Sequence, residues 1–401
     1  MPVIASSDRV ISLGSTQVAV PERLLLAHAR GEVLFIAGAG VSQPAGLPDF
    51  RGLVVQVYAI VDPVVHSVVS LIPRSEKNPQ NVDLSMLTYR QAAEVTRFVS
   101  GDFDVVLGML ERRLDGKSHG ASRVRQAIAK ELRGAKATPA PIHRALMRLA
   151  DRGGATAIVT TNFELLLESA LKPKASTVQT YSLGGIPRPS RNEDFSGVFH
   201  IHGALDANPK RVSDLVVSDQ DFGEFYLRRR VVPDFIYDAA RLYNLVLIGY
   251  SANDPPMRYL LNAVAADGMR FDDLKERFTF VGSAAPDPIG VEDWKGRGIT
   301  PIQYDSANFH TELLAALEYW ADISQIAGKP GFSDEEVQRI VKRSRNQASD
   351  ADRDMFDFMF RRSNLAGRVR LAEMASKNGA DIGWLEAIKS ISMEKLGEFK
   401  K

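Results

Sequence analysis

Glu32 to Gly52 reads "EVLFIAGAGVSQPAGLPDFRG", and its reading decides the fold. Val33 to Ala37 is a short apolar run closed by Gly38-Ala39-Gly40, the pattern of a buried strand that ends in a tight turn. Before it, Pro21 to Gly31 ("PERLLLAHARG") carries leucines and alanines at helical spacing with a glycine stop, so a helix feeds the strand. A glycine turn between a strand and a helix start presents unpaired N–H groups to an anion and lets the backbone approach a pyrophosphate closely. A hydride-transfer fingerprint would place a third glycine at position 43 and an acid about 20 residues further on. Position 43 is Gln43, and the acid-bearing strand is missing.

The same apolar pattern recurs at "ATAIVTTN" (Ala155 to Asn162), "GVFHIHG" (Gly197 to Gly203), "NLVLIGYS" (Asn244 to Ser251) and "RFTFVGS" (Arg277 to Ser283), with helical patterns between the runs. This alternation predicts an α/β fold: a doubly wound, Rossmann-like parallel sheet whose ligand crevice lies at the carboxyl ends of its strands. From Leu53 to Arg152 amphipathic helices replace strands, as in "FDVVLGMLERRL" (Phe103 to Leu114) and "PIHRALMRLADR" (Pro141 to Arg152), which predicts a helical insertion over residues 53–152. A turn cluster at Gly328-Lys329-Pro330-Gly331 precedes "SDEE" (Ser333 to Glu336), a capping-box start. The expected division is a nucleotide-binding catalytic domain over 1–327 and a C-terminal helical module over 328–401.

Composition narrows the function. The chain has 401 residues, 45% of them hydrophobic, with 50 Lys plus Arg against 49 Asp plus Glu and a net charge of +1. It can bury a large core, and nothing in its global charge calls for a nucleic acid or membrane as main partner, although local patches stay open. There are no cysteines, so disulfides, a thiol nucleophile and cysteine-ligated zinc are excluded. The expectation is a soluble, cytoplasmic protein, with no signal pattern and no membrane-length apolar run.

Four segments in order carry a family resemblance. "GAGVSQPAGLPDFRG" resembles the sirtuin Gly-Ala-Gly-x-Ser loop with its Gly-Leu/Ile-Pro-Asp-Phe-Arg turn; "TTNFE" resembles the Thr-Gln-Asn-Ile-Asp segment; "HIHG" resembles the catalytic His-Gly; and "GYSANDPP" resembles the later nucleotide loop. The resemblance spans roughly Val10 to Asp322 and implies NAD as substrate. Deacylating sirtuins carry a four-cysteine zinc ribbon that this chain lacks, so no zinc is expected. The run "GALDANPKRVSDLVVSDQDFGEFY" after His202 looks like the zinc-free bacterial branch of anti-phage defence systems. That likeness implies an NAD glycohydrolase acting in abortive infection, as a homo-oligomer with a HerA-type ATPase partner. A zinc-free protein deacylase and a non-catalytic module sensing NAD or ADP-ribose are the alternatives.

The resemblance distributes roles among the residues. Gly38, Ala39, Gly40 and Ser42 are expected at the pyrophosphate, Arg51 at phosphate or ribose oxygens, and Phe50 over the nicotinamide–ribose bond, with Asp49 fixing the loop. Thr161, Gly249 and Ser251 are expected along the ribose and phosphates, Ser283 nearer the adenosine, and Asp254 as a helix cap. Asn162, just past an apolar run, can hold a ribose hydroxyl or orient a water by donating and accepting together. Glu164 stands where the family has Asp, and Phe163 where it has Ile. His202 is the expected base, because imidazole accepts protons near neutral pH. His200, two residues upstream, is expected on the same face of a regular strand but has no glycine after it. The other five histidines, His28, His66, His119, His143 and His310, are read as structural or solvent-facing.

Overall fold

The computed structural model describes residues 9–116, 122–171, 178–190, 195–206, 208–250, 274–324, 328 and 331–398. A short antiparallel hairpin, β1 (Val10–Ser12) and β2 (Ala19–Pro21), leads into α1 (Glu22–Ala29). Seven strands form the central sheet: β3 (Val33–Ala37), β4 (Ala157–Thr160), β5 (Thr180–Ser182), β6 (Gly197–His200), β7 (Asn244–Ile248), β8 (Arg277–Ser283) and β9 (Thr300–Asp305). Their order is β5-β6-β4-β3-β7-β8-β9, and every pairing is parallel. All five apolar runs are strands of this sheet.

Alternate side chains serve opposite faces. Val33, Phe35, Ala37, Ile158, Val198, Val246 and Ile248 face one core, with α1, the helix Pro141–Leu149 and the helix Thr311–Ile323. Leu34, Ile36, Val159, Phe199, Leu245 and Leu247 face the other, against Phe235, Ile236 and Ala239 of the helix Val231–Leu242. Burial on both faces explains why these strands read as unbroken apolar runs. The chain leaves β3 toward β4 on one side and later returns at β7 on the other. The β3–β7 boundary is therefore the switch point, where such sheets open a crevice.

A third core lies beyond the carboxyl ends of the strands. Helices Phe50–Val61, Pro63–Val69, Tyr89–Ser100, Phe103–Asp115 and Arg123–Gly134 pack together and onto Phe163, Leu205, Val212, Leu215 and Val217, which follow β4 and β6. Arg125 anchors this cover: fully buried, it pairs with Glu111 at 2.9 Å and Asp221 at 2.6 Å. The last part of residues 53–152 departs from the cover, because Pro141–Leu149 packs under the sheet instead.

The C-terminal helices Phe332–Val341, Asp350–Arg362, Leu365–Lys377 and Ile382–Glu398 share the first core. Phe356, Met359 and Phe360 are fully buried in the same cluster as Ile11, Val20 and Leu24. Arg361 pairs with the buried Glu22 at 2.5 Å, tying the C-terminal helices to α1. The capping-box reading of "SDEE" is corrected: Gly331, at φ +79°, precedes a helix that starts at Phe332, and the Ser333 hydroxyl accepts a 2.7 Å bond from Arg362. Among the described residues, no helix is long and apolar enough to cross a membrane.

Candidate functional site

The glycine loop and the turn after β7 touch backbone to backbone. Gly38 N–H donates to Ile248 O at 2.8 Å and Gly40 N–H to Gly249 O at 3.0 Å. A Cβ on Gly38 would lie 2.7 Å from Gly249 O, one on Gly40 2.9 Å from Gly249 Cα, and one on Gly249 2.6 Å from Val41 N. Gly249 also has φ +75°, a conformation side chains rarely adopt. Three glycines are thus required by the meeting of two loops, before any ligand is considered. Val41 and Ser42 N–H groups bond within the loop, to Gly38 O and Ala39 O, each at 3.0 Å. From Gly38 to Ser42, the Ala39 N–H is the one with no backbone acceptor among the described residues. The chain after Gly40 forms two short 3₁₀ turns, Ala39–Val41 and Gln43–Ala45, and the first α-helix after β3 begins only at Phe50.

Beneath the loop lies a closed set of polar side chains. Asn162 Nδ2 donates to Gly38 O at 3.2 Å and to Ser42 Oγ at 2.9 Å. The Ser42 hydroxyl donates to Glu164 Oε1 at 2.5 Å and lies 3.4 Å from His143 Nε2. Both Asn162 amide protons are consumed, so only its Oδ1 remains, an acceptor with no partner among the described residues. The expectation that Asn162 donates and accepts together is corrected to acceptance alone. Burial pushes the Glu164 carboxyl up, against the lowering hydrogen bond from Ser42. Thr161 Oγ1 lies 3.0 Å from the hydroxyl of Tyr250, which donates to Ala37 O at 3.2 Å.

Hydrogen-bond partners separate the histidines. His143 Nδ1 accepts from the Ala140 N–H at 3.1 Å, which leaves the proton on Nε2 beside Ser42. Burial lowers its pKa to about 4. His28, likewise about 4 by burial, accepts from Trp320 Nε1 and donates to Leu149 O. His200 has an acceptor at each nitrogen: Asn162 O at 2.8 Å from Nδ1 and Glu168 Oε1 at 2.9 Å from Nε2. Burial opposes its charge, yet Glu168 and the Asn162 carbonyl prevail and raise its pKa. An acceptor at each nitrogen favours the protonated form of His200.

β6 ends at His200, and the chain turns at Ile201 and His202. The expectation that both histidines point to the same face held only for a regular strand, and the strand ends before His202. His202 sits instead under Phe222 (ring centroids 5.5 Å) and Tyr226, whose hydroxyl is 2.5 Å from Nε2. Burial lowers its pKa to about 3, only partly offset by Asp221. Gly203, at φ +95°, lets the chain pass Asp214, whose carbonyl oxygen would be 2.9 Å from a Cβ there.

Other expected site residues point elsewhere. Asp49 caps the helix Phe50–Val61 through the Gly52 N–H at 2.8 Å and pairs with Arg74 at 2.5 Å. Arg51 donates to Ile72 O at 2.6 Å and lies 4.8 Å over the Phe98 ring, while Phe50 packs edge-on to Phe103 at 6.0 Å. All three face the helical cover. Ser283 ends β8 with its hydroxyl donating to Ala285 O in its own turn. Ser251 and Asp254 lie outside the described residues. The sequence reading missed His143, Tyr226, Tyr250 and Glu168, which meet the site through contacts 24 to 101 residues apart in the chain; Tyr226 and Tyr250 fall within quoted segments but were given no role there.

Residues 156–302 match the family model of the SIR2-like domain. That span, similar to the SIR2-like domain, holds Asn162, Glu164, His200, His202 and Gly249. The uncharacterized protein y4cA of Sinorhizobium fredii is 32% identical over 312 residues, 76% of this chain. This chain covers 24% of that relative's length. A solved chain from work on the mechanism and regulation of Sir2 enzymes aligns with 76% of this chain and 95% of its own, at 13% identity and a TM-score of 0.37. Among the described residues no three His, Cys, Asp or Glu are grouped to hold a metal ion.

Proposed function

We propose that the SIR2-like region hydrolyses NAD to nicotinamide and ADP-ribose. The observation that carries the proposal is Asn162: its amide N–H groups are spent on Gly38 and Ser42, which leaves Oδ1 as a fixed acceptor at the switch point. A fixed acceptor there holds a water or a ribose hydroxyl in place for attack. In the reaction the C1′–N bond of the nicotinamide riboside breaks and its electron pair neutralises the pyridinium nitrogen. Water oxygen bonds to C1′, and its proton passes to His202. A ribosyl cation is so electrophilic that a weak base suffices, which fits a histidine held neutral by burial.

Pyrophosphate binding falls to the Ala39 N–H and to the loop held by Gly38, Gly40 and Gly249. NAD is consumed as substrate, without zinc. The wider setting rests on the resemblance alone: an anti-phage NADase, homo-oligomeric, cytoplasmic and controlled by a HerA-type ATPase. One observation favours the sensing alternative, since Tyr226 and Phe222 cover His202 in this conformation. Chromatography of NAD incubated with the protein decides: nicotinamide and ADP-ribose support hydrolysis, whereas bound but intact NAD supports a sensor.

A further inference from the structure

His202 is neutral around pH 7, so a single proton is shared between two ring nitrogens, and only one can be the accepting atom. Nε2 is covered by the Tyr226 hydroxyl at 2.5 Å. Nδ1 has no hydrogen-bond partner among the described residues. Tyr226 is itself buried, on a π-helical turn, Gly223–Arg228, that continues the short helix Asp219–Phe222. Such turns insert one residue into a helix and often re-aim a side chain at a functional site. Here the turn brings Phe222 and Tyr226 edge-on to the imidazole, at 5.5 and 5.9 Å.

We infer that Tyr226 is a positioning residue: its hydroxyl accepts the Nε2 proton of His202, fixes that tautomer, and leaves Nδ1 as the nitrogen that takes the proton from water. The inference rests on the reading of His202 as the base. It follows from elimination, because a nitrogen covered by Tyr226 has no room for a second proton donor. A hydrogen bond at the far nitrogen is a general way to choose which ring nitrogen reacts. The Asp221 carboxylate acts electrostatically on the same imidazole. Its Oδ2 is held by the N–H groups of Val217 and Ser218, at 3.0 and 2.9 Å, and by Arg125, which ties the turn to the helical cover.

The test is nitrogen-15 NMR of histidine-labelled full-length protein, with His202→Ala used to assign the resonance, alongside NAD turnover. The wild type should show His202 protonated at Nε2. Tyr226→Phe, which keeps the ring and loses only the hydroxyl, should mix the tautomers and lower kcat about tenfold, the worth of one hydrogen bond, while KM for NAD stays within about twofold. Phe222→Leu, which leaves the hydroxyl in place, should keep the wild-type tautomer. A wild-type ring protonated at Nδ1, or a folded Tyr226→Phe protein with unchanged tautomer and kcat, overturns the inference. Absence of NAD cleavage by the wild type defeats the base assignment and the reacting role of Nδ1 with it. The tautomer still decides, independently, whether Tyr226 positions the ring.

Discussion

His200 Nδ1 donates to the carbonyl oxygen of Asn162 at 2.8 Å, and its Nε2 donates to Glu168 at 2.9 Å. The side chain two residues before the proposed base is therefore the buttress of the proposed water-holding residue. Removing His200 strips the Asn162 carbonyl of its ring donor and leaves Glu168, which keeps a 2.8 Å bond from Thr180, without its charge partner. His200→Ala should cost about 3 kcal/mol of stability, in the range for breaking such a pair, and should lower kcat along with it. From the sequence alone, with no glycine after it, His200 reads as dispensable. Thermal unfolding and NAD turnover of this variant separate the two expectations.

Acid and base should act oppositely on two groups of histidines. His200 has a raised folded pKa, so its contribution is complete below about pH 6.5 and fades as pH rises through the folded value. His28 and His143, at about 4, and His202, at about 3, are held neutral by burial. Their contribution is present above about 6.5 and is lost as pH falls through the window down to those values, at up to about 1.4 kcal/mol per pH unit for each. Urea unfolding from pH 8 to 4 should show stability falling on the acid side. Glu168→Gln should flatten the loss above neutrality and leave the acid limb in place.

Ser42 distinguishes phosphate binding from positioning of Asn162. Its hydroxyl proton goes to Glu164, and it accepts from Asn162, with His143 close by. Ser42→Ala should free the Asn162 amide and lower kcat about tenfold, the value of one hydrogen bond, with KM nearly unchanged. A pyrophosphate ligand would show the reverse split, a raised KM at constant kcat.

Gly249→Ala should be worse than an ordinary surface change. The new Cβ meets Val41 N at 2.6 Å from a residue at φ +75°, so backbone must move and the β3 and β7 loops must part. The expected cost is about 1–3 kcal/mol from the left-handed backbone conformation, before the clash is added. Calorimetry should show weaker NAD binding in step with a lower melting temperature.

The five apolar runs were legible because parallel strands buried on both faces are mostly apolar, and they lie at β3, β4, β6, β7 and β8, with β6 ending at His200 before the run read to Gly203 is complete. The edge strands were not. β5 is three residues long, and β9 contains Pro301 and buries only Ile302 among its side chains, which is tolerable only at an edge. At the site, "TTN" and "HIHG" drew the eye to Asn162 and His202. Their partners, Ser42 excepted, come from helices and turns elsewhere in the chain. Asp49, Phe50 and Arg51 belong to the same motif, yet the helix they start turns them toward Arg74, Phe98, Phe103 and Ile72.

The C-terminal region, read from its turn cluster as a separate module, shares a core with the hairpin and α1. Truncation after Gly331 should therefore yield insoluble or unfolded protein, rather than a folded catalytic core with altered assembly. Phe360→Ala should cost about 3–5 kcal/mol and lower the melting temperature of the whole chain in a single transition. Two independent transitions in the scan would show that the module is separable after all.

The most direct measurement is the product analysis of NAD incubated with the purified full-length protein, in the absence of any acylated peptide and in the presence of a metal chelator. Nicotinamide and ADP-ribose are expected in equal amounts, with the yield lost in a folded, NAD-binding Asn162→Ala variant. NAD recovered intact under every assembly state tested, or nicotinamide released only when an acyl-lysine peptide is added, would contradict it.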